Sequence, residues 1–434
     1  MTKIFDPAQL KHRYAAEKRF KALGLTAVLV AASFVFLLLG DVILKSIPAF
    51  SEYRVTLTAK PDGNDNYTPY KEALQALLKV ETRQDRRKVA DLISIGDGSL
   101  LSSPADLYLK GLIVKTERRD GLQKPNAVNL TQIEFANGIA TRISGENREE
   151  LIKTGLDKTF TLFLHSPEGD RKINDKQAVW LEILRENGLI THHFNKRFFT
   201  SGDSREPELA GLRGALIGSL FTVFVTLALC LPLGVAAAVY LQEFAGQNVF
   251  TDLLEVNINN LAAVPSIVFG ILGLAVFLNI FHLPRSASLV GGLVLALMIL
   301  PTIIIATRTA MGSVPPSVKQ AALGLGASDM QAVFHHVLPL SLPGIMTGTI
   351  MGVARALGET APLLMIGMVA FIVDIPQSLT DPSTVLPVQI YLWSDLPEAG
   401  FVARTAATIV VLLVVLLCLN AIAVFIRNRY ERRW

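Results

Sequence analysis

The sequence predicts an α-helical polytopic membrane protein with six transmembrane helices and an α+β domain inserted after the first. Three observations carry that prediction. Hydrophobic residues make up 51% of the 434-residue chain and charged residues 18%, with a mean hydropathy of +0.42, which is too apolar for a wholly soluble protein. The apolar residues are gathered into long runs. The polar residues are concentrated in one block, from about 48 to 211, whose length suits a single domain. Cys230 and Cys418 both lie inside apolar runs without metal or redox spacing, so a disulfide framework is excluded. The net charge of +4 is small, and nothing points to nucleic acid.

Residues 1–21 carry Lys3, Lys11, Arg13, Lys18, Arg19 and Lys21. The apolar run over 22–47 is longer than the core of a cleaved signal peptide and lacks its small-residue cleavage site. It is long enough to cross a hydrocarbon core of roughly 30 Å. The reading is a retained helix with its basic end in the cytoplasm, so 48–211 falls outside the membrane, in the periplasm. That block has strand-like pieces (Tyr53–Thr58) and helix-like pieces (Tyr70–Val80, Asp175–Asn187) but no metal spacing, phosphate loop or nucleophile elbow. Adjacent His192 and His193 lack further ligands, and the charged run Arg83–Lys88 reads as a solvated helix face.

Five further apolar segments follow, near 213–240, 257–281, 287–310, 344–372 and 403–426, within a membrane core over 212–426. Six crossings bring the basic tail over 427–434 (Arg427, Arg429, Arg432, Arg433) to the side of the basic N-terminus, both cytoplasmic. The loop 372–402 carries Asp374, Asp381, Asp395 and Glu398 but no Lys or Arg, as an outside loop can. Breaks at Pro232-Leu233-Gly234, Val264-Pro265-Ser266, Leu300-Pro301-Thr302 and Glu359-Thr360-Ala361-Pro362 fit helices lining a path, although such residues are common in membrane helices anyway.

Charges inside the spans discriminate better. Arg355 falls about ten residues into the fifth span, where an Arg costs on the order of 2.5–3.5 kcal/mol on insertion scales. Glu359 at i+4 shares its helical face and can pair with it. Either the two neutralise each other and fasten the helix to a neighbour, or Arg355 offers its planar donors to a passing oxyanion while Glu359 holds it. Arg213, Arg285 and Arg404, at the outer ends of spans two, four and six, form a positive mouth or act as interfacial anchors. Arg308, at the inner end of span four, has the same two readings.

The polar connector 311–343 joins spans four and five. Ser317–Leu325 forms a short helix with Ser317 as N-cap and Gly324 and Gly326 as stops. A second run from Ala327 to Val337 ends at Leu338-Pro339 and again at Leu342-Pro343. Within it, Gln320-Ala321-Ala322, Gly326-Ala327 and Leu338-Pro339 resemble the EAA loop of importer-type ABC transporter permeases, with Gln320 where that family usually has Glu. The resemblance implies the ABC importer permease fold, with this loop gripped by an ATPase subunit. Three further segments, Val235–Glu243, Val264–Gly270 and Arg355–Leu364 (Arg-Ala-x-Gly-Glu-Thr-Ala-Pro), resemble the PstA-type phosphate permeases, over roughly 205–426.

That likeness implies a multi-pass protein of the bacterial inner membrane and the transport of inorganic phosphate by alternating access. It implies a PstC-like second permease, ABC ATPase subunits and a periplasmic phosphate-binding protein as partners. No Gly-Lys dipeptide occurs in the chain, so it has no P-loop. ATP and Mg are expected on the ATPase partner, this chain binds no cofactor of its own, and it is not an enzyme. A permease for molybdate or sulfate, and a membrane-anchored sensor or scaffold working through 48–211, are the competing readings.

Overall fold

The computed structural model describes residues 7–55, short helix and strand pieces between 68 and 185, and 187–430 apart from 247 and 397–398. Helix α1 (Pro7–Ser46) runs unbroken for 40 residues, roughly 60 Å at 1.5 Å per residue. It therefore begins well before the apolar run at 22. Ala15-Ala16-Glu17-Lys18 are strong helix formers, and Glu17 pairs with Lys21 one turn on, at 2.5 Å. At the other end Asp41 neutralises Lys45 at 2.7 Å, so the charges there leave the helix intact.

The polar block is α+β where it is described. Strands β1 (Ser51–Val55), β2 (Ile93–Ser94), β3 (Leu100–Leu101) and β7 (Ile190–Phe194) form one sheet in the order β2-β3-β1-β7. Strands β4 (Ile113–Val114), β5 (Ala127–Thr131) and β6 (Thr159–Phe163) form a second, in the order β4-β6-β5. Helices α2 (Thr68–Leu77) and α3 (Arg83–Ala90) precede β2, and most of the helix expected over 175–187 lies outside the described residues. β1 and β7 are antiparallel in the register Ser51↔Phe194 to Val55↔Ile190. This pairing brings the start and end of the block together, so the chain leaves the membrane part and returns to it at one place. His192 and His193 sit opposite Tyr53 and Glu52 on these strands, with the His192 ring 5.0 Å from that of Tyr53. No group of three His, Cys, Asp or Glu fit to hold a metal occurs among the described residues.

After the short helix α4 (Arg197–Thr200) comes α5 (Arg213–Val239), extended by a π-helical turn over Tyr240–Phe244. Pro232 lies inside α5 without breaking it. The expected third span is corrected by the structure. It is not one helix but two, α6 (Val249–Ala263) and α7 (Ser266–Gly273, with a π-helical continuation to Ile280), meeting at 100°. Val264 is extended, at ψ 132°, because the ring of Pro265 crowds a helical residue before it. Helix α8 (Ser288–Gly312) carries Pro301 in its interior.

Packing fixes the sense of each helix. Gly218 of α5 lies near the α8 N-terminus, where Ser288 Oγ donates to its carbonyl, while Gly234 meets Ile303, so α5 and α8 are parallel. Five helices are long and apolar enough to cross a membrane, and the bent pair between α5 and α8, counted as one broken span, brings the number to six.

The connector forms α9 (Pro316–Gly324) and α10 (Asp329–Ala332), which passes through a π-helical turn (Val333–Val337) into α11 (Leu338–Gly358). Helix α9 starts at Pro316 with Pro315 as N-cap, so the expected cap at Ser317 is corrected by two residues. A larger correction concerns Leu338-Pro339 and Leu342-Pro343, which do not end the helix. Pro339 lacks the N–H that an α-helix would use. The looser turn just before it, a form of turn that interrupts α-helices locally, lets the helix run on through Pro343. On α11, Gly344, Gly348 and Gly352 recur every fourth residue against α8, where added Cβ atoms would lie 2.5, 2.3 and 2.8 Å from Ala310, Ala306 and Ile299. Small residues at this spacing let helix backbones approach in lipid, and the falling partner numbers make α11 antiparallel to α8.

Helix α11 stops at Gly358, so the expected span 344–372 is also corrected. Glu359 is extended at ψ 122°, and a short α12 (Ala361–Met365) follows. Loop and helix α13 (Leu386–Ser394) lead to α14 (Ala399–Tyr430), whose Arg427 end lies by Thr347. At the opposite end, Phe198, Leu212, Trp393 and Phe401 form a buried cluster with Ala49. There Asp203 accepts from Trp393 Nε1 at 2.9 Å and Gln389 Nε2 at 3.1 Å. Burial raises the Asp203 pKa above the ordinary carboxylate value.

Candidate functional site

Two neighbourhoods gather the chemistry, one at each end of α10–α11. The lower one is the α9 knob. Gly326 has φ +87°, a left-handed conformation that side chains disfavour, and it turns the chain from α9 toward α10. Ser328 then caps α10 reciprocally: its Oγ accepts from Gln331 N at 3.3 Å, and Gln331 Oε1 accepts from Ser328 N at 3.0 Å. Gln320 and Ala321 face outward, Ala322 is buried, and Ala327 closes the turn by donating to the Ala322 carbonyl. Leu325 is 91% exposed at the tip of the knob. Leu338 and Pro339 sit at the base, where Leu338 packs on Val239, Met311, Val333 and Val337.

The upper neighbourhood is the break after α11. Arg355 stands in the last turn of the helix rather than in mid-span, where a cation also suits the helix dipole. Its Nε lies 3.4 Å from Glu359 Oε1, with the side chains 43% and 20% exposed. The predicted pairing is present, but Glu359 reaches back from extended backbone. An added Cβ at Gly270 of α7 would lie 2.7 Å from Pro362. Two residues far apart in the chain, Gly270 and Pro362, are thus pressed together a few residues past the breaks at Val264-Pro265 and Glu359. In lipid, unwound backbone of this kind is tolerated where protein or water satisfies it.

The remaining arginines separate. Arg213 is exposed at the first residue of α5, and Arg285 is exposed between His282 (φ 52°) and Ser286 (φ 60°). Arg404, expected at the same mouth, is only 4% exposed. It donates to the Ala49 carbonyl at 2.8 Å and the Glu208 carbonyl at 3.5 Å, and lies 5.4 Å from the Phe198 ring centroid. Its head is spent fastening α14 to the chain on both sides of the polar block. Arg308 pairs with Glu255 at 2.6 Å and ties α8 to α6. The structure therefore brings Arg355 and Glu359 together, while Arg404 and Arg308 are held by partners of their own.

An apolar groove of about 820 Å³, lined by residues such as Leu231, Val235, Tyr240, Met330 and Phe334, opens beside the knob; Arg355 and Glu359 do not line it. Sequence reasoning missed the glycine stripe on α11, the Asp203 tie and a bridge from Lys319 of α9 to Glu243, at 2.7 Å. The stripe was legible as a four-residue period of glycine. The other two join residues distant in the chain and leave no local pattern.

Residues 230–434 match the family described as binding-protein-dependent transport system inner membrane component. Residues 7–103 match a domain of unknown function. A probable ABC transporter permease protein of Bacillus subtilis is 30% identical over 54% of this chain and 84% of its own length. The chain belongs to the ABC transporter permease family. The phosphate transport system permease PstA of Haemophilus influenzae is 30% identical, over 51% of this permease and 77% of that protein. PstC of the same organism is 31% identical, over 44% of this permease and 67% of that protein. An ABC permease is a transport subunit, and its ATP is hydrolysed by a partner.

Proposed function

We propose that this permease carries inorganic phosphate inward across the bacterial inner membrane as half of an ATP-driven importer. The observation that carries the reading is the Arg355–Glu359 pair at the α11 break, in a chain that is 30% identical to a named phosphate permease over about half its length. A guanidinium matches two phosphate oxygens, and a carboxylate competing for it keeps the anion from binding too tightly to leave. Arg355 is partly exposed on a membrane helix, and a charge there is costly unless it faces water, protein or substrate. Arg213 and Arg285, exposed near the start of α5 and α8, add positive potential toward an arriving anion.

In this reading the termini and the 316–337 knob face the cytoplasm, and 48–211 faces the periplasm. The knob docks on the ATPase, with Gln320 and Ala321 outward and Gly326 setting the turn. A second permease completes the path, and a periplasmic binding protein delivers phosphate. Alternating access follows when ATP-driven closure of the ATPase pair moves the knobs.

The test is uptake of labelled phosphate, molybdate and sulfate in native cells lacking only this chain. Selective loss of phosphate uptake is expected, while selective loss of another oxyanion would transfer the assignment to that anion. Arg355→Gln in the complex should reduce phosphate uptake about a hundredfold, the upper range of a lost charged contact, with ATPase association unchanged. Normal uptake by that variant would remove Arg355 from the path.

A further inference from the structure

The knob is joined to the membrane helices by few contacts. Of α9, only Ala322 is buried. Lys319, in the middle of α9, reaches Glu243 in the π-helical turn that ends α5, at 2.7 Å. It also faces Asp329 at 3.8 Å, the first residue of α10. The Lys319 and Glu243 side chains are 28% and 12% exposed, whereas Asp329 is 67% exposed, so the link to α5 is the sheltered one. Asp329 begins the continuous helix whose last turn carries Arg355. One ammonium thus touches the knob, the end of α5 and the start of the helix leading to the upper neighbourhood.

Both elements that Lys319 reaches pass through π-helical turns beside it, at 240–244 and 333–337. Such turns often mark functional positions in helices. Under them Val239, Met311, Val333 and Val337 gather the inner ends of α5, α8 and α10. A single ion pair that is still partly open to solvent adds little to stability, so stability alone gives this pair little to do. A pair that joins three separate elements, half sheltered, sets their relative positions instead.

We propose that Lys319 and Glu243 are positioning residues for transport, forming a strut that carries displacement of the α9 knob into α5 and α10–α11. The inference rests on the family assignment, not on phosphate as the substrate. It places the mechanical link one residue before Gln320, on the inward side of the knob, with Gln320 itself left facing outward.

The experiment uses the assembled complex of this permease with its second permease and ATPase, reconstituted with the binding protein in liposomes. Lys319→Glu and Glu243→Lys are made singly and together, beside Lys319→Arg. Each single reversal should lower labelled-phosphate uptake per ATP hydrolysed about tenfold, and the double reversal should return it to within about threefold of wild type, as expected for directly interacting residues in a double-mutant cycle. Lys319→Arg should stay near wild type. Co-purification of the ATPase in all variants separates lost positioning from lost assembly. Single reversals with wild-type coupling, or a double reversal no better than the worse single, would overturn the strut. If wild type imports no phosphate, the substrate reading fails. The strut is then decided by ATP hydrolysis of the purified complex, which should depart at least about threefold from wild type in the singles and return in the double.

Discussion

Gly348 gives the sharpest test of how the membrane core is held together. A Cβ added there would lie 2.3 Å from the Cβ of Ala306, with the Ala306 Cα at 3.7 Å. Carbon atoms attract best at about 3.5–4.0 Å, so α8 and α11 must separate or shift to admit even one methyl group. Neither contacting atom belongs to a flexible side chain that can swing aside. Overpacking of this kind costs about 1–3 kcal/mol. Gly348→Ala should therefore lower the thermal midpoint and folded yield of the purified complex in detergent. Because the clash is with one methyl group, Ala306→Gly in the same chain should recover most of the loss, although Gly itself costs up to about 1 kcal/mol in a helix. A Gly348→Ala complex as stable as wild type, or a double variant no better than the single, would refute close packing of these helices as the source of stability.

Gly326→Val should distort the knob through its backbone alone, since no atom lies within 4 Å of an added Cβ while φ is +87°. The left-handed conformation costs a side chain about 1–2 kcal/mol; Gly326→Asn should restore coupling of ATP hydrolysis to uptake better than Gly326→Val does. Arg404→Met removes the donor to the Ala49 and Glu208 carbonyls. It should destabilise the complex by about 1–3 kcal/mol, read by urea or thermal unfolding, while a pathway role would instead show as lost uptake at unchanged stability. Asp203 supplies a pH dependence. Its folded pKa is raised above 3.8 by burial, so the folded state holds the proton more tightly than the unfolded chain, and stability falls as pH rises from 3.8 through the folded pKa. Asp203→Val should flatten that part of the unfolding profile, above pH 3.8, and an unchanged profile would count against a buried carboxyl there.

The long apolar runs were sufficient to place α1, α5, α8 and α14, because twenty or so consecutive apolar residues have few stable states other than a helix across a bilayer. The knob was legible too, since Gly326 and the prolines before α9 punctuate the chain locally. Where the reading slipped, a proline was given a fixed meaning. Pro265 breaks its helix and Pro339 does not, and the difference lies in the π-helical turn before Pro339, which is a response of the surrounding fold rather than a property of either residue.

The sequence by itself determined that this chain is a membrane protein with a polar inserted domain, a turn-broken connector and an Arg and a Glu four residues apart. Each of those depends on composition or on spacing within a few residues. Only the tertiary structure decided that the third span is bent by 100°, that Arg404 is a buried fastener rather than part of a mouth, and that Lys319 meets Glu243. Those outcomes turn on pairs such as Arg404 with Ala49, or Lys319 with Glu243, whose members are far apart in the chain. What each side chain does is set by the partner that packing delivers to it, and a local pattern carries no record of that partner.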